Sequence, residues 1–154
     1  MQKIKERIIR IFDFYEIDES EIQFEEESTD GKIYLNIILP APHAKHFIGA
    51  RGETLDSLEV LVRLAHLDEL KEDEKLVIDI NGYRKEREEK LRERALRVAH
   101  EVMETGREYV FNDLNSYERY LVHSAVAEST DIQGVETISE DDVYGRVLIV
   151  RPKE

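Results

Sequence analysis

Cysteine is absent from the 154 residues, which excludes disulfide frameworks, thiolate zinc sites and thiol nucleophiles. No apolar run approaches the roughly 20 residues that span a bilayer, so membrane insertion is not expected. The N-terminal stretch MQKIKERIIRIF has neither the unbroken apolar core nor the small-residue cleavage site of a secretory signal. A soluble cytoplasmic protein is therefore expected. Positive charge is also scarce: 22 Lys and Arg stand against 35 Asp and Glu, a net charge of −13. Such a balance argues against a protein that coats nucleic acid by bulk electrostatics. The hydrophobic fraction of 41% suffices for a packed core, and the length allows one ordinary domain or two small ones.

The charge is unevenly spread. Residues 31–66 carry four Lys/Arg against three Asp/Glu, and residues 81–107 carry eight against six. Exposed charges are screened beyond roughly 8–10 Å at physiological salt, so a local patch matters more than the net charge. An anionic ligand is sought in these two segments.

Periodicity organises the chain. Ile4, Ile8, Ile11 and Phe12 recur at helical spacing within residues 3–14. Residues 21–27 alternate as a strand, Ser28 to Gly31 signals a turn, and KIYLNIIL (32–39) reads as a second strand closed by Pro40 and Pro42. A short helix is expected at 43–48. Leu55, Leu58, Leu61, Val62 and Ala65 then form one apolar face of a further helix. A charged turn over 68–74 precedes a strand at 75–80, giving the order αββααβ. Asn81-Gly82 is the best boundary, dividing the chain into 1–81 and 82–154. A long helix from Tyr83 to Thr105 has a core stripe of Leu91, Ala95, Val98, Ala99 and Val102. A strand at 107–111, a helix from 115 to 127 opened by Asn115 and Glu118 as N-cap and box partner, and strands at 135–140 and 146–151 complete αβαββ.

Two constellations carry chemistry. In Phe47-Ile48-Gly49-Ala50-Arg51-Gly52, two glycines three apart precede a strong amphipathic helix. Glycine permits a sharp turn and close approach of a sugar-phosphate backbone. The unpaired amides and positive dipole end of the helix favour phosphate there. Arg51 adds a charge-assisted contact, Ile48 an apolar floor for a base, and Lys45 a reach to the backbone from the preceding turn. Aspartate at both Gly49 and Gly52 is expected to abolish binding with the fold intact. In NSYERYLVHSAV (115–126), Arg119 and His123 are four apart and share a helix face. They suit a phosphate approached from two directions, Arg as a fixed fork and His through a ring N–H. Tyr117 and Tyr120 stand ready to support them or stack on a base.

These patterns resemble known families. Residues 33–80, with Ile48-Gly49-x-x-Gly52 between two helices and a following strand, resemble a KH domain of the bacterial type II arrangement. Such domains clamp about four single-stranded nucleotides at this loop. Residues 83–151 resemble the R-three-H domain, named for an Arg and a His separated by three residues and associated with single-stranded nucleic acid. The resemblance rests on Tyr117-Glu118-Arg119, His123, Thr137-x-Ser139 and Arg146. It departs at Tyr120, where the family usually has a second arginine, and at Asp141, where glycine is common. The pairing of the two is similar to bacterial Jag-type (KhpB-like, sporulation-associated) RNA-binding proteins.

The resemblance implies an α+β architecture, a type II KH-like domain at 1–81 followed by an R-three-H domain at 82–154. It implies single-stranded RNA as ligand, with single-stranded DNA as the alternative, and phosphate contacts from Arg119, His123 and Arg146. It also implies a regulatory role in cell division, envelope growth or cell shape, and a small KH protein or a second copy as partner. No cofactor is expected. Two other classes stand beside this one. An acidic KH-like module that has lost RNA would bind protein instead. A hydrolase would use His123 with Ser124 or Ser129 nearby, but nothing in the sequence aligns a triad. His43 and His46 share a helical face without third and fourth ligands, so no metal is expected. The arginine-rich helix 84–97 reads as a salt-bridged solvent face, with Arg84, Lys85 and Arg87 as exceptions that could meet RNA.

Overall fold

Ile4, Ile8 and Phe12 are spaced to lie on one helix face, and helix α1 (Gln2–Asp13) buries all three. The structure is a computed structural model that describes residues 1–29, 31–66, 70, 74–143 and 145–153. The chain divides into two compact units, Met1–Arg84 and Lys85–Glu154. The expected charged turn at 68–74 falls mostly outside the described residues, as do Asp30 of the expected Ser28–Gly31 turn and Tyr144 of the turn expected at Tyr144-Gly145 between the last two strands.

In the first unit, β1 (Gln23–Thr29) and β2 (Lys32–Ile38) form an antiparallel hairpin, with Phe24 opposite Ile37 and Thr29 opposite Lys32. Strand β3 (Lys75–Ile80) adds parallel to β2, giving the order β1-β2-β3. Between β2 and β3 the chain crosses over through α2 (Ala41–Ile48) and α3 (Glu53–Ala65). The core joins Leu35, Ile37, Leu76, Ile78 and Ile80 of the sheet to Phe12, Phe47, Leu55, Leu58 and Val62 of the helices.

Three local readings change. Pro40 and Pro42 do more than end a strand: Pro40 is the N-cap of α2 and Pro42 lies in its first turn, where a missing N–H costs nothing. The helix thus starts two residues before the expected position. On α3, Leu55, Leu58 and Val62 are buried, whereas Leu61 is 64% exposed and Ala65 is exposed. Each residue turns the helix by about 100°, so Leu61 lies beside the stripe that the core covers. With Leu64 and Val60 it forms a second, outward apolar stripe.

Asn81-Gly82 is tied into the first unit. Asn81 adopts φ 52° and its amide side chain bridges Leu39, accepting from its N–H at 2.9 Å and donating to its carbonyl at 2.8 Å. The Gly82 N–H donates to Asn36 Oδ1 at 3.1 Å. Arg84 then closes the free edge of β3: its Nε donates to the Ile78 carbonyl at 3.0 Å, while the Ile78 N–H donates to Glu59 Oε2 at 3.0 Å. Arg84 Nη2 meets the same Glu59 oxygen at 3.0 Å and Nη1 meets Asp56 at 2.8 Å. An unpaired strand edge is a template for unwanted pairing, and this ion pair occupies it.

The second unit takes up α4 (Tyr83–Thr105) from Lys85 onward, β4 (Tyr109–Phe111), α5 (Ser116–Glu128), β5 (Val135–Asp142) and β6 (Gly145–Pro152). Its sheet is antiparallel in the order β4-β6-β5. Leu91, Ala95, Val98, Ala99 and Val102 of α4 pack with Phe111, Leu121, Val122, Leu148 and Val150. No described helix is long and apolar enough to cross a membrane.

Candidate nucleic-acid interface

The loop of the first unit is shaped by backbone sterics. Helix α2 ends as the Gly49 N–H bonds to Lys45 O at 3.0 Å. Gly49 then adopts φ 72°, Arg51 φ 56° and Gly52 φ 87°. Three of four loop residues thus sit in a region that side chains with a Cβ rarely enter. Packing closes the matter for both glycines. A Cβ at Gly49 would collide with the Thr54 side chain, lying 2.7 Å from its Cβ, and one at Gly52 would lie 2.9 Å from the Tyr83 ring. Aspartate at these positions would therefore disturb the turn itself, which corrects the expectation that such a double variant keeps its fold.

Gly52 caps α3 with no side-chain acceptor, and the Glu53 N–H bonds back to the Ala50 carbonyl. Lys45, Ala50 and Arg51 are exposed, and Ile48 is half-buried against the core. Glu53 stands 3.5 Å from Arg51 Nη2, an exposed pair that moderates the positive charge of the loop.

The second constellation is built on α5. Asn115 accepts from the Glu118 N–H at 2.9 Å, and Glu118 Oε2 accepts from the Asn115 N–H at 3.0 Å, a complete capping box. The Glu118 carboxylate is buried, and its other oxygen takes Arg87 Nε at 2.7 Å. Arg84 and Arg87 are thus engaged in internal pairs, against the expectation that they, as exceptions on a salt-bridged solvent face, could meet RNA. Lys85 remains exposed, 4.0 Å from Glu89.

With the helix start fixed, Arg119 donates to Leu114 O at 2.7 Å and to Ser116 Oγ at 3.1 Å. Its guanidinium is held at the N-terminal turn on the half-exposed flank of α5. One turn on, His123 lies against β5, with Nδ1 2.6 Å from Thr137 Oγ1 and Nε2 3.0 Å from Ser139 Oγ. Burial, and then the nearby Arg119 charge, hold the His123 pKa below the ordinary histidine value. Thr137, Ser139 and Asp141 alternate along β5 and pair across the ladder with Val150, Leu148 and Arg146. Directly opposed residues share a sheet face. Arg146 is exposed and extends the row that begins at His123's hydroxyl partners. Tyr117 and Tyr120 are more than half exposed on the same helix, and the Tyr117 hydroxyl donates to Glu88 at 3.0 Å.

The His123–Ser139 pair has the spacing of a base and a nucleophile, but not the chemistry. The third group is the Thr137 hydroxyl rather than a carboxylate that would stabilise an imidazolium. Ser124 and Ser129 make no hydrogen bond to the ring: its two nitrogens bond Thr137 and Ser139, and Ser129 bonds Asp131.

Sequence reasoning named the Thr137-x-Ser139 pair without seeing what it does. The available signal is polar alternation: two hydroxyls at i and i+2 within a strand that packs on a helix carrying a histidine. Thr54 and Tyr83, which force glycine at 49 and 52, gave no signal, since each meets its glycine only in the folded chain.

A family model for the R-three-H domain matches residues 89–152. The chain is 34% identical over 92 residues to the RNA-binding protein KhpB of Clostridium symbiosum, covering 60% of this chain and 41% of that protein. It is 29% identical over 106 residues to the RNA-binding protein KhpB of Bacillus subtilis (strain 168), covering 69% of this chain and 50% of that protein. With the RNA-binding protein KhpB of Lactiplantibacillus plantarum the figures are 29% over 103 residues, 67% and 31%. All three matches are longer than the C-terminal unit, so the similarity reaches into the first. The chain spans half or less of the length of these relatives. Arg119, His123, Thr137, Ser139 and Arg146 all lie inside the residues that match the R-three-H domain, and the chain is similar over that region and part of the first unit to RNA-binding proteins named KhpB.

Proposed function

We propose that this chain is a single-stranded RNA-binding protein that grips phosphate at two local patches and acts as a regulator rather than an enzyme. The first patch is Lys45 with Ile48, Gly49, Ala50, Arg51 and Gly52, on a first unit that serves as a type II KH-like domain. The second is the Arg119/His123 face of α5 with Arg146, on the R-three-H domain. The observation that carries the reading is the second patch: Arg119 and His123 stand one turn apart on α5, His123 lies against the β5 row that leads to the exposed Arg146, and Tyr117 and Tyr120 are exposed elsewhere on the same helix. Cations position phosphate, and aromatic rings accept unpaired bases without regard to sequence. The first unit supports it through a helix N-terminus without a capping side chain, entered by a loop with a projecting arginine.

Because glycine is needed for the turn, the clean test leaves Gly49 and Gly52 alone. Ala50→Asp with Arg51→Asp replaces a neutral and a positive side chain by carboxylates at exposed positions, and aspartate tolerates the positive φ at 51. Affinity for a labelled oligouridylate, read by fluorescence anisotropy, should fall by about tenfold or more. The dependence of log affinity on log salt should flatten by about 0.7 for each phosphate that the variant no longer neutralises. Unchanged affinity and slope in a folded double variant would remove the loop from the site.

A second reading, a protein-binding module, is favoured by the outward stripe of Val60, Leu61 and Leu64 on α3, at 43, 64 and 58% exposure. It predicts no steep salt dependence for RNA and a loss of partner binding in Leu61→Glu.

A further inference from the structure

Both ring nitrogens of His123 are engaged by hydroxyls, Nδ1 by Thr137 at 2.6 Å and Nε2 by Ser139 at 3.0 Å. That geometry constrains the protons. A neutral imidazole carries one N–H and one bare nitrogen, so one nitrogen donates and the other accepts. The bare nitrogen accepts the O–H of its hydroxyl partner, whose proton is thereby used. The N–H donates to the oxygen of the other hydroxyl, whose own proton is left to point elsewhere. Neither ring nitrogen then retains a free bond for a ligand.

We infer that His123 does not itself hold phosphate but positions Thr137 and Ser139, and that the hydroxyl receiving its ring N–H donates to a phosphodiester oxygen of the bound strand. This rests on the reading of the α5 face as a nucleic-acid site and adds two binding residues to it. Three observations support the assignment. Thr137 and Ser139 are half-buried rather than sealed, so the freed O–H has access to a ligand. Their row on β5 leads to Arg146, opposite Asp141, so an oxygen bonded there has a cation further along the same face. Arg119, one helical turn from the ring, supplies positive charge on the other side while its hydrogen bonds to Leu114 and Ser116 fix its place. A hydroxyl held by a histidine is preorganised for an anion in a way that a freely rotating serine is not.

The ring tautomer states in advance which hydroxyl matters. In the full chain, ring 15N shifts at neutral pH should show a neutral His123 with one protonated nitrogen. If that nitrogen is Nδ1, Thr137→Val should weaken binding of a labelled oligouridylate by about tenfold, the size of one hydrogen bond to a charged group, and Ser139→Ala by less than about threefold. If it is Nε2, the order reverses. Since no charge is removed, the salt slope should stay unchanged in both, whereas Arg119→Ala should lower it. Conservative exchange at the sensitive position, Thr137→Ser or Ser139→Thr, should restore affinity. Equal losses at both positions, a loss at the wrong one, or no loss at either overturns the inference. Should the variants fail to fold, the wild-type protein decides: oligouridylate must leave His123 singly protonated, and a ring that becomes doubly protonated on binding is itself the phosphate contact. Silent hydroxyl variants beside a weakened Arg119→Ala overturn only this inference. An Arg119→Ala that binds like wild type removes the α5 face from the site altogether.

Discussion

Gly49 shows how far a single residue can be read. Two glycines three apart before an amphipathic helix point to a tight turn that admits a phosphate, but they do not separate glycine kept for a ligand from glycine kept for the fold. Thr54 and Tyr83 separate them, because each fills the space a Cβ would need. Gly82 supplies an internal control in the same unit, since its φ of 68° is also positive but nothing lies within 4 Å of an added Cβ. Gly82→Ala should cost about 1 to 2 kcal/mol, the strain of a left-handed alanine. Gly49→Ala should cost roughly 3 kcal/mol or more, because overpacking adds to that strain. Urea denaturation of the two variants checks the order, and a Gly49→Ala no worse than Gly82→Ala would mean that the Thr54 side chain simply moves aside. The remaining residues of the proposed site divide in the same way. Lys45, Arg51, Arg119, His123 and Arg146 were legible as types suited to phosphate, while the engagement of both His123 nitrogens was not, because it joins positions 14 and 16 residues apart.

At the scale of elements, helices with one apolar stripe and a local cap were read closely. Asn115 and Glu118 announce the start of α5 because a capping box closes within four residues. The same carboxylate also holds α4 through Arg87, and that second bond spans 31 residues. The two roles differ in magnitude. Asn115→Ala should destabilise the C-terminal unit by about 1 kcal/mol, the value of an N-cap. Arg87→Ala leaves a buried carboxylate without its cation and should cost about 3 kcal/mol. Chemical denaturation of each variant reads the difference, and equal costs would show that water reaches Glu118 freely. Helix α3 marks the limit of pattern reading: it carries two apolar stripes, and periodicity alone assigned Leu61 and Ala65 to the core stripe. The core of sheet and helices covers only Leu55, Leu58 and Val62. Pro40 and Pro42 likewise read as a stop to β2, whereas their places at the cap and first turn of α2 make them a start, since the same fixed φ serves both.

For the whole molecule, the net charge of −13 acts in opposite directions on stability and on binding. Self-repulsion opposes the compact state and is relieved by salt. Phosphate contacts release counterions and are weakened by salt. Raising sodium chloride from about 50 mM to about 200 mM should therefore raise the thermal midpoint while lowering affinity for oligouridylate. Differential scanning fluorimetry and anisotropy on the same samples test this, and affinity that does not fall with salt would favour the protein-binding reading.

Composition, periodicity and local signals by themselves determined the order of elements, the lack of thiol chemistry and which residues are of a type suited to phosphate. Those properties depend on neighbours within a few turns of chain, where spacing alone settles which side chains share a face. Tertiary structure decided what each polar group is for. Arg84 and Arg87 stand in a run of like residues, yet one seals the edge of β3 and the other neutralises Glu118. His123 meets its two hydroxyls only when α5 settles on β5. A buried or half-buried polar group must find its partner wherever the fold brings one, and sequence separation carries no record of that distance.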